Sequence, residues 1–410
     1  MSDLLERDLI RTLRRHGDVT IEVPAGMWER IEGRVRRRRR TRRAALSGGL
    51  ALAVLAVLAV LVGGWQLARP AARDRGLPPA TVVATPTPAR IVAPIAPPAT
   101  PTVRSVQRTW PAAIERMPAT APGGAKVLPV GVLGADQLLV AESGGGERTS
   151  ALLRYDLRNE TFSAVADLAP VGRLSGYFPQ GFATDDRTVA WNAEGTDARG
   201  RKVTEFVAAD LAGGHERLLA TVPGELGITE LNLVDHRWLV YTGTDGVRRI
   251  PLSGNGASEP VPGGRGLHLT SWPWASNLTD PGGSRHAVVS TNLVTGARRT
   301  FSAAGMWTRD CVPDWCIGNL RDRATLLGPE PVGRTVSAPR YLVASGRFGG
   351  GRFVDAMYGD RNVLWDIKTG RLAGYDARST VLLNHETCLV AWPDPANRDS
   401  LLVFDGAAVR

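Results

Sequence analysis

The chain has 410 residues, 22% of them charged and 6% aromatic, with a formal net charge of +10. Residues 1–43 hold 13 arginines against seven acids and residues 44–110 hold six arginines against Asp74, which leaves residues 111–410 at −1. The excess charge lies at one end of the chain rather than over a folded surface, which excludes nucleic acid as the partner that the basic pI suggests.

In residues 1–43, Leu4, Leu5, Leu9, Ile10 and Leu13 recur at helical spacing, and a second pattern follows Pro24 with Trp28, Ile31 and Val35. Residues 1–43 are read as a cytoplasmic amphipathic helical segment. It ends in an arginine-rich stop, Arg34–Arg43, that contains eight arginines. Ala44–Trp65 then runs for 22 residues without a charge. At about 1.5 Å per residue it covers about 33 Å, enough for a hydrocarbon core of about 30 Å. Residues 44–67 are expected to form a transmembrane helix. The arginines hold its N-terminal flank in the cytoplasm and lie on anionic headgroups. A cleaved secretory signal has a shorter apolar region of about 7–15 residues, so the segment reads as an uncleaved anchor. The expected location is a single pass through the plasma membrane, with the N-terminus cytoplasmic and the C-terminal domain extracytoplasmic.

Residues 68–109 contain nine prolines and a single acid, with no hydrophobic period. They are expected to form a disordered, polyproline-like stalk rich in Pro, Ala and Thr, rising about 3 Å per residue.

From Trp110 the pattern becomes short apolar runs separated by Gly, Asp, Asn and Pro. Hairpin signals recur at Tyr155–Asn159, Ala209–Gly213, Ile250–Gly254, Thr291–Gly296 and Trp365–Gly370. Degenerate copies follow Leu326 and Val403. Units of about 40 residues with four short strands are propeller blades. The apolar runs Leu138–Val140, Val189–Trp191, Trp238–Tyr241 and Leu389–Trp392 are assigned to the second strand of their blades. Residues 110–410 are therefore read as an all-β extracytoplasmic β-propeller. Seven blades are favoured, with six the alternative. The last blade lacks chain for its outer strand, and residues between Thr109 and Met117 are expected to supply it.

The chemical motifs are few. No G-x-S-x-G, HExxH, Walker A or EF-hand sequence occurs. His16, His215, His236, His268, His286 and His385 show no metal-ligand spacing. No catalytic residue, cofactor or metal is assigned. Gly346–Arg352 is rich in glycine, but a strand pattern follows where a phosphate cradle needs a helix, so it reads as a hairpin loop. Cys311 and Cys316 flank a turn containing Pro313, and a disulfide is expected, with two reduced thiols the alternative. Cys388 lies in an apolar strand and reads as a core thiol. Trp272, Trp274, Trp307 and Trp315 form the candidate ligand surface, because paired Trp faces stack on sugars or apolar ligands. The competing role is packing between blades.

The repeated Asp-Leu-x-x-Gly hairpins resemble those of TolB-like and Trp-Asp-repeat propellers. The whole layout resembles single-span actinobacterial proteins with a short helical N-terminus, an arginine-rich stop, a Pro/Thr stalk and an external propeller. The segment Pro24–Ile31 is the most family-like part. The resemblance implies an architecture and no reaction. The expected function is a non-enzymatic, membrane-anchored propeller that binds or scaffolds a protein or cell-envelope polymer. The layout also resembles transmembrane anti-sigma factors. Residues 1–43 lack the cysteines of the zinc-binding version, so a zinc-free signal transducer with the propeller as sensor is the first alternative. A propeller-channel enzyme acting on envelope glycans is the second.

Overall fold

Apolar runs such as Leu138–Ala141 and Val189–Trp191 are buried along their whole length rather than at alternate residues. A strand covered on both faces has that pattern. Outer runs such as Thr161–Asp167 bury only a few positions. A computed structural model describes residues 93–409 apart from 135, 144–148, 227–229, 255, 279–286, 377–378 and 384–386. Its described strands form seven sheets, each with four antiparallel strands, the blades of a seven-bladed β-propeller. Blades one to six occupy residues 126–167, 175–223, 231–265, 268–302, 306–337 and 342–374. Blade seven combines 380–405 with Ile114–Pro118.

The apolar runs assigned to second strands take that place: Gln137–Ser143, Thr188–Thr196, Trp238–Gly243 and Cys388–Asp394. The hairpin repeat has a physical cause at the end of the third strand. In four blades an Asp or Asn side chain there accepts from the backbone N–H two residues on, and in two of them also from the N–H three residues on, an Asx turn. Asp156 Oδ1 accepts from Arg158 and Asn159 at 2.9 Å each, and Asn292 Oδ1 from Val294 and Thr295 at 3.0 and 2.9 Å. Asp366 Oδ1 accepts from Lys368 at 3.0 Å, and Asp405 Oδ1 from Ala407 at 2.9 Å.

The ring closes as the chain-length argument requires. Ile114–Pro118 runs antiparallel to Asn397–Asp405, pairing Ile114 with Phe404 and Pro118 with Ser400. A strand that precedes blade one and the last strand of the chain thus share one sheet. Arg116 locks the closure through Nε and Nη2, each 2.9 Å from Oδ2 of the buried Asp394.

The domain boundary expected at residue 110 falls inside this packed structure. Residues 93–109, assigned to the stalk, lie against blade six. Ile95 donates its N–H to the Ile367 carbonyl at 2.7 Å and accepts from Trp365 Nε1 at 3.2 Å. Arg104–Ser105 adds a parallel fifth strand to that blade. Ser105 caps the short helix Val106–Thr109, and Trp110 then wedges between blades six and seven. Its ring lies 5.4 Å from Phe353 and 5.3 Å from Phe404. Proline content marked this segment as stalk, while the isolated apolar residues Val106 and Trp110 are what bind it to the core.

Gly346–Arg352 is also not a single loop. Gly346–Gly349 belongs to the first strand of blade six, and the turn is Gly350–Gly351, both at positive φ. Among the described residues no helix is long and apolar enough to cross a membrane. The expected cytoplasmic helices, residues 44–67 and the stalk as far as residue 92 lie outside the described residues.

Candidate functional site at the propeller axis

The first strand of each blade is the innermost, and these strands meet around the ring: blade one with two, two with three, four with five, five with six, six with seven, and seven with one. Three of them matter for the site: Leu231–Val234 of blade three, Met306–Val312 of blade five and Leu342–Gly349 of blade six.

The strands of blades five and six are joined by side chains acting on backbone. Asn319 accepts from Ala344 N at 2.8 Å and donates to Ala344 O at 2.9 Å. Asp310, which is buried, accepts from Phe348 N at 3.0 Å and from Cys311 N at 2.8 Å. Each strand is bulged at this junction. Pairing skips Arg309 in blade five and Ser345–Arg347 in blade six. A bulge frees a residue from the ladder and re-aims its side chain. Arg309 and Arg347 therefore directly precede the two residues, Asp310 and Phe348, that bond across the seam.

Trp307 lies two residues before Arg309 and is 51% exposed, so it is the aromatic side chain available at this junction. The Arg309 guanidinium carbon is 6.0 Å from the Trp307 ring centroid, at the outer limit of a cation–π contact. Arg309 Nε is enclosed and has no hydrogen-bond partner among the described residues. Arg347 Nη1 approaches Glu230 Oε2 at 3.5 Å. Glu230 precedes the first strand of blade three, three places around a ring of seven from blade six, so this ion pair reaches across the axis.

The four candidate tryptophans are not brought together as one surface. Trp307 and Trp315 stand at opposite ends of one hairpin, with Trp307 paired to Asn319 and Trp315 to Val312. Trp315 is buried beside Gly328 and within the seam toward blade six. Trp272 is partly buried, packed against blade three, and donates its backbone N–H to Asn232 Oδ1 at 2.9 Å. Trp274 is partly buried under Arg299, whose guanidinium lies 4.8 Å from its ring centroid. Arg299 also donates to the Pro313 carbonyl at 2.7 Å and to the Asp314 carboxylate. Burial pulls the Arg299 pKa down. Trp272 and Trp315 thus pack toward neighbouring blades, Trp274 is covered by Arg299 of its own blade, and Trp307 is the most exposed of the four. Cys311 and Cys316 sit directly opposite each other in the same hairpin, with their sulfurs at 2.06 Å. Cys388 is buried, and burial pushes its thiol well up.

Sequence spacing did not reveal Arg309, Arg347 and Glu230. The signal that could have found two of them is an arginine inside a strand pattern, in Thr308-Arg309-Asp310 and Gly346-Arg347-Phe348.

Two other constellations lie away from the axis. Turns of blades two and three bring His236 Nδ1 within 3.0 Å of Asp185 and 3.4 Å of Asp186. This trio offers three ligand atoms within 4.8 Å of one another, a metal-like set that linear spacing hid. Its groups also satisfy one another as an ion pair when the imidazole is protonated. A cavity of about 890 Å³ beside the residue 103–107 strap is lined by Arg104, Arg361, Arg398, Asp360, Tyr375 and Trp392. Acids and bases are mixed there, and its Tyr375 phenol is committed to the Asp355 carboxylate.

No protein-family model and no curated protein matches the chain. Solved structures that resemble it include a prolyl endopeptidase, at 12% identity and a TM-score of 0.38, covering 68% of this chain and 46% of that one. An oligogalacturonate lyase in complex with manganese gives 10% identity and 0.32, covering 72% of this chain and 98% of that one. Hsv2 of Kluyveromyces lactis gives 8% and 0.34, covering 67% and 95%. The chain spans just under half of the prolyl endopeptidase. At these identities the likeness concerns the fold alone.

Proposed function

We propose that this chain is a membrane-anchored, extracytoplasmic propeller of the TolB-like kind. It binds a cell-envelope partner at the axial junction of blades five and six and carries out no reaction itself. The membrane placement rests on the uncharged run Ala44–Trp65 behind eight arginines. The binding reading is carried by one observation: Trp307 presents a half-exposed aromatic face, with the Arg309 guanidinium carbon 6.0 Å from its ring centroid.

The test is a labelling footprint. Trp307→Cys introduces one accessible thiol, since Cys388 is buried and the other two cysteines face each other at bonding distance. A membrane-impermeant maleimide is expected to react readily with the purified full chain and slowly with intact spheroplasts, where the partner covers the site. It is expected not to react in sealed inverted vesicles. Reaction in inverted vesicles would overturn the topology. Equal reaction in spheroplasts and purified protein would overturn the axial site.

A further inference from the structure

We infer that the cleft beside the residue 103–107 strap is a binding site for a ligand of small-molecule size that carries a carboxylate or phosphate group. The site is separate from the axial junction and stands without the axial reading.

The first argument is the space and what converges on it. The cleft measures about 890 Å³ and takes its walls from the strap, from blade six and from blade seven. Small-ligand pockets span about 300–1,000 Å³. Arg104 is placed by the fifth strand, where it pairs with Ala373, while Val103 and Val106 on either side pack into the core. Arg361 opens the third strand of blade six, and Arg398 lies in the last strand of blade seven. Three guanidinium groups from three separate parts of the chain thus line one cavity.

The second argument is that these donors are unspent. None of the three arginines makes an ion pair or a side-chain hydrogen bond among the described residues. The acids of the wall are mostly engaged already. Asp394 holds Arg116 through two contacts of 2.9 Å and accepts from Ala396 N, and Asp376 has an interaction of its own. Counting Arg116 with the carboxylate it binds, four arginines face three aspartates, the third being Asp360. Trp392 adds a neutral donor. It is only 8% exposed and lines the cleft, and its indole N–H is neither enclosed nor bonded to an acceptor among the described residues.

A guanidinium fork matches the oxygens of carboxylate and phosphate groups, and bonds between charged partners are the strong ones. Cationic forks with a neutral N–H beside them select an anion with several acceptor oxygens over a cation or an apolar molecule. Such a ligand also ties the strap to the two blades that close the ring, so its binding stabilises that closure.

The experiment is calorimetric titration of the full chain in detergent with three probes: citrate, glucose 6-phosphate and glucose. At least one anion is expected to bind and to raise the thermal unfolding midpoint, and glucose is not. Comparison of the two anions separates carboxylate from phosphate sources. Affinity is expected to fall as salt rises. Arg104→Ala, Arg361→Ala and Arg398→Ala should each weaken the anion about tenfold. Trp392→Phe, which keeps a ring and removes the N–H, should weaken it about fivefold. The three arginines are exposed, so unfolding midpoints without ligand should not move in their variants, and lost affinity then reports lost contacts. Hydrogen exchange in residues 103–110 should slow when the anion is bound. Failure of both anions to bind, or equal binding of glucose, would overturn the inference. Unchanged affinity in the Arg361→Ala, Arg398→Ala double variant would place the anion elsewhere and overturn it too. The maleimide footprint decides the axial reading separately.

Discussion

The seam between blades six and seven and the axial junction of blades five and six use the same residue types differently. At the seam, Trp110 is buried against two phenylalanines. Arg352 holds the buried Asp366 through Nε and Nη2, at 2.9 and 2.8 Å. At the axis, Trp307 is half exposed and Arg309 has an enclosed nitrogen without a partner among the described residues. Aromatic and cationic side chains that are covered and paired close the ring. A half-exposed aromatic side chain such as Trp307 is available to something outside it. The difference separates residues that fold the propeller from residues that use it.

The largest effect expected from breaking the seam is that of Trp110→Ala, a loss of about 3–5 kcal/mol in denaturant unfolding, because it empties the wedge between two blades. Asp366→Asn follows at about 3 kcal/mol, because it leaves Arg352 enclosed with its charge uncompensated.

The acids also separate by pH. Burial raises the Asp366 carboxyl, but its bonds to Arg352 and Thr369 outweigh burial and its pKa lies below the ordinary carboxylate value. Its stabilisation is present above the unfolded pKa of about 3.9 and is lost as pH falls through the lower folded value. Glu205 shows the opposite sign. It is buried in blade two with Oε2 unpartnered among the described residues, and burial raises its pKa against a single N–H from Gly172. Its folded form keeps a proton that the unfolded chain has released, so stability falls as pH rises between the two values. Glu205→Gln should therefore stabilise the protein at pH 7 by about 1 kcal/mol, and this gain should disappear near pH 4. Unfolding midpoints across that range check both signs.

Reduction of the Cys311–Cys316 pair should cost about 2 kcal/mol, because a short loop constrains the unfolded chain modestly. Thiol labelling of denatured protein should find one cysteine before reduction and three after. At the axis, Trp307→Ala should change stability by less than about 0.5 kcal/mol. A loss comparable to that of Trp110→Ala would place Trp307 in the core and erase the contrast.

The second and third strands were legible because runs covered on both faces read as continuous apolar stretches, and the Asx turns repeat their Asp or Asn. The need for a strand near Thr109–Met117 was legible from chain length alone. The innermost strands were not. The first strand of blade six reads Leu342–Gly349 with a three-residue bulge, and its glycines made it look like a loop. The site lies in those strands, so it was hidden with them. Trp307 was found by residue type, but the same criterion admitted Trp272 and Trp315, whose packing depends on neighbouring blades, and Trp274, which Arg299 of its own blade covers. The pairing of Glu230 with Arg347 joins blades three apart, a distance that no local pattern encodes.

The most direct test of the central claim is photocrosslinking in intact cells from two positions. A photoreactive residue replaces either Trp307 at the axis or Val294 in an exposed turn of blade four, 66% exposed. The account predicts one dominant envelope adduct from position 307, lost when Arg309 and Arg347 are also replaced by alanine, and no such adduct from position 294. The same adducts from both positions, or an adduct from 307 that survives loss of both arginines, would contradict it.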